Sequence, residues 1–106
     1  MTVNNLIEKL NLKILVEGDQ DREITGGYCG DLLSWVMGRA ESGDCWFTVM
    51  GNINAIAVSV LADCGCIVLC ENATLDDDVK YFLNRPYGNH HIVVLGNHKD
   101  KITQYM

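Results

Sequence analysis

Two adjacent glycines, Gly26 and Gly27, follow Asp21, Arg22 and Thr25 and precede Tyr28, Cys29, Gly30 and Asp31. No other stretch of the chain has residue types so close to those of a ligand site. Paired glycines ahead of a helix open backbone conformations closed to other residues and expose amide groups toward a bound anion or a partner. The segment is not a P-loop, since no Lys-Ser or Lys-Thr follows, and Thr-Gly-Gly-x-x-Gly misses the dinucleotide fingerprint by one glycine position. Asp31, at the expected entry of a helix, would repel a phosphate placed on that dipole. The same residues also suit a tight turn pinned by hydrogen bonds from Asp21, Arg22 and Thr25.

The other reactive side chains form weaker patterns. Cys64, Cys66 and Cys70, with His90 and His91 on a nearby strand, have soft-metal ligand types. A Cys-x-Cys leading into a strand puts both sulfurs on one face but supplies no second chelating pair, so buried core thiols are expected and no metal or cofactor. Cys29, near a helix start, is the thiol whose pKa a helix dipole would lower, yet no base partner for a nucleophile is identifiable. Asp76-Asp77-Asp78 lacks the alternate spacing and closing Glu of a calcium loop and suits the first turn of a helix. Asp63 and Glu71 fall at strand boundaries, His98 is expected at the surface, and Trp35 is expected in the packing. No constellation names a reaction, and a non-enzyme is expected.

The elements that must position these residues follow from periodicity. Val3, Leu6, Ile7 and Leu10 recur at helical spacing behind Thr2, a good N-cap. Leu12 to Val16 is a strand, and Glu17 to Gly30 is expected as loop or irregular strand. Asp31 is expected to cap a second helix with Leu32, Leu33, Val36, Met37 and Ala40 on one face, ended by Ser42-Gly43-Asp44. Cys45 to Met50 is a buried strand ending at Gly51-Asn52. A third helix places Ile53, Ile56, Ala57, Val60 and Leu61 at helical spacing, and Ala55, Val58 and Ser59 on its other face imply cover on two sides. Cys66 to Cys70 is a strand. Thr74 and Asp77 start a fourth helix with Val79, Phe82 and Leu83 inward, stopped at Pro86. His91 to Leu95 is the last strand, before Gly96-Asn97 and a short terminal helix through Ile102 and Tyr105. Apolar strands separated by helices describe an α/β fold, a mostly parallel sheet of four to five strands covered by helices.

Length and charge bound the rest. The 106 residues suit one domain. Eight basic against fourteen acidic residues give a net charge of −6, which repels nucleic acid. Arg22, Arg39 and Lys99 with Lys101 are too few and scattered to track a phosphate backbone. No secretory h-region opens the chain, and the uncharged run Cys45 to Ala62 is broken by Gly51, Asn52 and Asn54, so no membrane span is expected. Five cysteines without a signal peptide suit reduced thiols in the cytoplasm.

The chain resembles the DRTGG domain family, named for an Asp, Arg, Thr, Gly and Gly that stand here as Asp21, Arg22, Thr25, Gly26 and Gly27. The likeness continues through Gly30-Asp31-Leu32-Leu33 and Trp46-Phe47-Thr48-Val49 to about Glu71. It departs at Asn84 to His91 and at Gly96-Asn97, where a small hydroxyl residue would be expected after the last strand. The resemblance implies one DRTGG-like domain over residues 1–106, with a fold like the N-terminal domain of HPr kinase/phosphorylase, and a regulatory or oligomer-forming role with chemistry in other domains. The expected function is a homodimeric module binding a nucleotide or other small anion near Asp21, Arg22, Thr25, Gly26, Gly27, Gly30 and Asp31, the homodimer forming through the region Cys45 to Cys70, in which Asp63 is the one charged residue. The alternative is a docking subunit of a metabolic or redox enzyme with no small-molecule ligand.

Overall fold

The computed structural model describes residues 1–77, 79 and 93–96. Helix α1 spans Val3–Leu10. The Thr2 hydroxyl accepts from the Asn5 amide, and the Asn5 side chain accepts from the Thr2 amide. The two donors left free at α1's first turn go to the chain ahead of the glycines: the Val3 amide to the Arg22 carbonyl and the Asn4 amide to the Gln20 carbonyl, both at 3.0 Å. Asn11 ends the helix in the left-handed region at φ 53°, where a short amide side chain is tolerated.

Among the described residues five strands follow: β1 (Lys13–Val16), β2 (Gly26–Cys29), β3 (Asp44–Thr48), β4 (Cys66–Leu69) and β5 (Val93–Gly96). They form one sheet in the order β1-β5-β4-β3-β2, parallel from β2 to β5, with β1 antiparallel at the far edge. Helices α2 (Leu33–Arg39) and α3 (Ile53–Leu61) connect β2 to β3 and β3 to β4. The fold class expected from the sequence is therefore present: a mixed α/β chain whose sheet is mostly parallel.

Alternation along the strands divides the core into two layers. Cys45, Cys66 and Val93 stand in register and, with Val68, Cys70 and Leu95, pack against Val3, Leu6 and Leu10 of α1. Trp46, Ile67, Leu69 and Val94 face the opposite side and pack against Val36 of α2 and Ala55 and Ile56 of α3. Because β2, β3, β4 and β5 are neighbours in sequence order, their parallel run has no reversal, and hence no switch-point crevice of the kind that holds ligands in doubly wound sheets.

Several expectations are corrected. The Glu17 to Gly30 segment contains a regular strand, β2, which its two glycines do not favour locally but which the ladder to β3 holds in register. Asp31 does not cap α2: Leu32 occupies that position with no side-chain hydrogen bond. On α2 only Val36 is fully buried, and Leu32 and Met37 are exposed. Trp35 is also exposed, its ring lying 3.9 Å beneath the Arg39 guanidinium carbon in a cation–π contact. On α3 the buried residues are Ala55, Ile56 and Ser59, whereas Ile53, Val60 and Leu61 are exposed. That helix carries no polar contrast, so its composition does not say which side turns in. Val79 is buried as expected. Phe82, Leu83, Pro86, His90, His91, His98 and the terminal helix lie outside the described residues.

Candidate functional site

Arg22 and Thr25 lie where β2, β3 and β4 begin. The Arg22 guanidinium donates to Asp63 Oδ1 at 2.9 Å and to the Asp63 carbonyl at 3.0 Å. The second Asp63 oxygen accepts from the Ser42 hydroxyl. Thr25 donates its hydroxyl to the Ser42 carbonyl at 3.0 Å and its amide to the Gly43 carbonyl at 3.1 Å. The Gly43 amide donates in turn to the Asp63 carbonyl at 2.8 Å. Gly43 has φ 84°, and a Cβ there would stand 2.5 Å from the Thr25 hydroxyl, so both its conformation and its closeness to Thr25 require glycine. Together these groups latch the entry to β2 onto the turns that open β3 and β4.

The electrostatics of the latch are those of a neutralised pair. Arg22, with Ser42, holds the Asp63 carboxyl at about 2, below its ordinary 3.8, and Asp63 raises the Arg22 guanidinium in return. Arg22 is thus matched by a carboxylate, while Asp21 beside it is exposed.

Gly26 and Gly27 are exposed on β2, the edge strand of the sheet among the described residues. Their steric demands differ. A Cβ on Gly26 would meet Asp44 Oδ1 at 2.6 Å, and the other oxygen of that carboxylate accepts from the Glu41 amide at 2.8 Å. A Cβ on Gly27 would make only ordinary contacts, 3.6 Å to the Cys45 carbonyl and 3.9 Å to the Phe47 ring. Packing accounts for the first glycine of the pair and not for the second.

Gly30 and Asp31 stand at the other end of β2, about 13 Å away at roughly 3.3 Å per strand residue. The Gly30 amide donates to the Phe47 carbonyl at 3.2 Å, and its carbonyl accepts from the indole N–H of buried Trp46 at 2.8 Å. Asp31 Oδ1 accepts from the Thr48 hydroxyl at 2.7 Å and the Val49 amide at 3.0 Å. That carboxylate ties β2 to the end of β3. The seven residues singled out in the sequence therefore divide between the two ends of the strands: Asp21, Arg22, Thr25 and Gly26 gather at the starts, Gly30 and Asp31 at the carboxyl ends, and Gly27 lies on the edge between them.

The cysteines behave as core thiols. Cys45, Cys64, Cys66 and Cys70 are buried, and burial pushes Cys64 up to about 11 and Cys70 up to about 12. Cys45 is raised by the adjacent Cys66 thiol, 3.5 Å away, and by burial. Cys64 packs in the α2–α3 layer and Cys66 in the α1 layer, so the Cys-x-Cys sulfurs do not share a face as the spacing suggested. Among the described residues no cluster of three or more His, Cys, Asp or Glu groups is placed to hold a metal ion. Cys29 is exposed on β2, not at a helix start, and part-burial followed by Asp31 raises its pKa, the direction opposite to activation.

Ser42, Asp44 and Asp63 were not singled out as site residues from the sequence. Ser42-Gly43-Asp44 has the types of a helix stop, and nothing local links Asp63 to an arginine 41 positions earlier. No family model matches the chain, and no curated protein or solved structure is significantly similar to it.

Proposed function

We propose that this chain is a regulatory module without catalysis of its own, homodimeric, and related to the DRTGG domains it resembles. The observation that carries this reading is that, among the described residues, the groups suited to chemistry are spent on one another. Arg22 and Ser42 serve Asp63, Thr25 serves Ser42, Asp31 serves Thr48 and Val49, and four of the five thiols are buried. Among the described residues, what remains accessible suits recognition: the edge strand β2 carrying Gly26 and Gly27, and apolar residues on α2 and α3.

A nucleotide or other small anion is the ligand class proposed for Asp21 to Asp31. At its start this segment offers a cation already paired with a carboxylate, so an anion binding there has to draw Arg22 from Asp63 and loosen the latch across three strand starts. Ligand binding and the stability of that end of the sheet would then be coupled, as a regulatory module requires. Thermal unfolding with millimolar adenine and guanine nucleotides tests the ligand half: a shift of several degrees is expected, weakened in Arg22→Gln, and no shift with any nucleotide removes it. Sedimentation at micromolar concentration tests the homodimer. The second proposal, a docking subunit for a larger enzyme, draws on the same exposed apolar residues. A stoichiometric heterologous partner in a pull-down from native extract, with a monomeric purified chain, would favour it.

A further inference from the structure

We infer that the homodimer forms across the outer face of α2 and α3, each helix pair packing against its copy about a two-fold axis. This rests on the homodimer reading above and moves its surface from the region Cys45 to Cys70 as a whole, whose strands β3 and β4 are largely buried, to the helix α3 of that region together with α2. Leu61 is 71% exposed, Leu32 and Val60 54%, Trp35 51%, and Met37 and Ile53 are also exposed. Val36 of α2 and Ala55 and Ile56 of α3 join the same core layer, so both helices lie on one side of the sheet, and they touch each other. Their outer sides therefore adjoin.

Charge selects a second copy as the occupant. The chain has fourteen acidic residues and a net charge of −6, so two copies repel wherever acidic surface meets acidic surface. A two-fold interface sets each patch against itself, placing like charges opposite one another. From Leu32 to Ala40 and from Asn52 to Ala62 there is no acidic residue, and the single charge, Arg39, lies over Trp35. A strongly acidic chain has here a face that can meet itself without setting acid against acid, Arg39 being the one charge on it. A basic partner would seek the acidic remainder of the surface instead.

The area is of the right order. With roughly 200 Å² for a fully exposed large apolar side chain, the six residues offer about 600 Å² per protomer. A standard interface takes about 800 Å² from each partner. Ser34, Gly38, Asn54 and Ala57, exposed among them, make up the balance.

Sedimentation velocity of the full chain from about 1 to 100 µM, which reaches the weak, micromolar end of the affinities found for interfaces of standard size, alongside Leu61→Glu and Trp35→Glu, is the test. The wild-type chain is expected to sediment as a dimer, with both variants dissociating on the order of 100-fold more readily because each places an acid against its copy. A wild-type dimer that neither variant weakens overturns this surface and leaves the homodimer standing. A wild-type monomer throughout overturns both. Should a variant fail to fold, acrylamide quenching of Trp35 emission in the wild-type chain decides: the quenchable fraction must fall as concentration rises, and a constant fraction rejects the surface.

Discussion

Replacing Asp63 by Asn isolates the charge in the latch. The side chains are nearly isosteric, and Asn tolerates the left-handed backbone that Asp63 adopts at φ 56°. The carboxyl is held at about 2 against an ordinary 3.8, which taken whole corresponds to ~2.4 kcal/mol of native-state stabilisation. Its side chain is 59% exposed, however, and solvent screening reduces the contribution of such a pair to about 1 kcal/mol or less. The folded pKa is depressed, so this stability is present above the unfolded value and is lost as pH falls through the folded one. It is complete above about pH 5, roughly halved near pH 3 and gone below about pH 2. Urea unfolding at pH 7 should therefore show Asp63→Asn less stable by about 1 kcal/mol, a melting shift of about 4–8 °C for a domain of this size. The difference should shrink toward pH 3 and in 1 M salt. In a double-mutant cycle with Arg22→Gln the two losses should be less than additive. A penalty equal at pH 7 and pH 3 and indifferent to salt would refute the electrostatic account, and full additivity would show that the two side chains do not act on each other.

Three further outcomes are expected. Gly26→Ala should cost about 1–2 kcal/mol, because its methyl must push the Asp44 carboxylate off the Glu41 amide, whereas Gly27→Ala should stay within about 0.5 kcal/mol of the parent; urea midpoints of the two variants compare them directly. In native protein one thiol, Cys29, should react with a disulfide reagent on mixing, slowly at pH 7 and faster as pH rises since its pKa is raised, while the four buried thiols wait for unfolding; rapid reaction of two or more would contradict the buried core. Trp46→Phe should destabilise by about 1–3 kcal/mol, since the buried indole N–H holds the Gly30 carbonyl, and Trp35→Phe by much less; chemical unfolding with Trp35 the costlier site would reverse the assignment of core and surface.

The sequence determined what depends on near neighbours. Helix α1 was readable because Thr2 caps it and its apolar residues contrast with polar ones at a helical period; the structure adds Asn5 as the reciprocal cap. Strand β4 was readable as an unbroken apolar run and β3 through its Cys45-Trp46-Phe47 centre, a pattern that suits a sheet covered on both faces. Tertiary structure decided what depends on distant partners. Gly26-Gly27-Tyr28-Cys29 has little strand propensity and becomes β2 because β3 offers it a ladder. Asp31 looked like a cap but serves residues 17 and 18 positions later. Helix α3, apolar nearly all round, has no preferred inward side until the sheet chooses one, and the side left over carries Val60 and Leu61. The latch itself joins residues 22, 42 and 63, whose meeting depends on three strands starting at one edge, a matter of topology that no local spacing encodes.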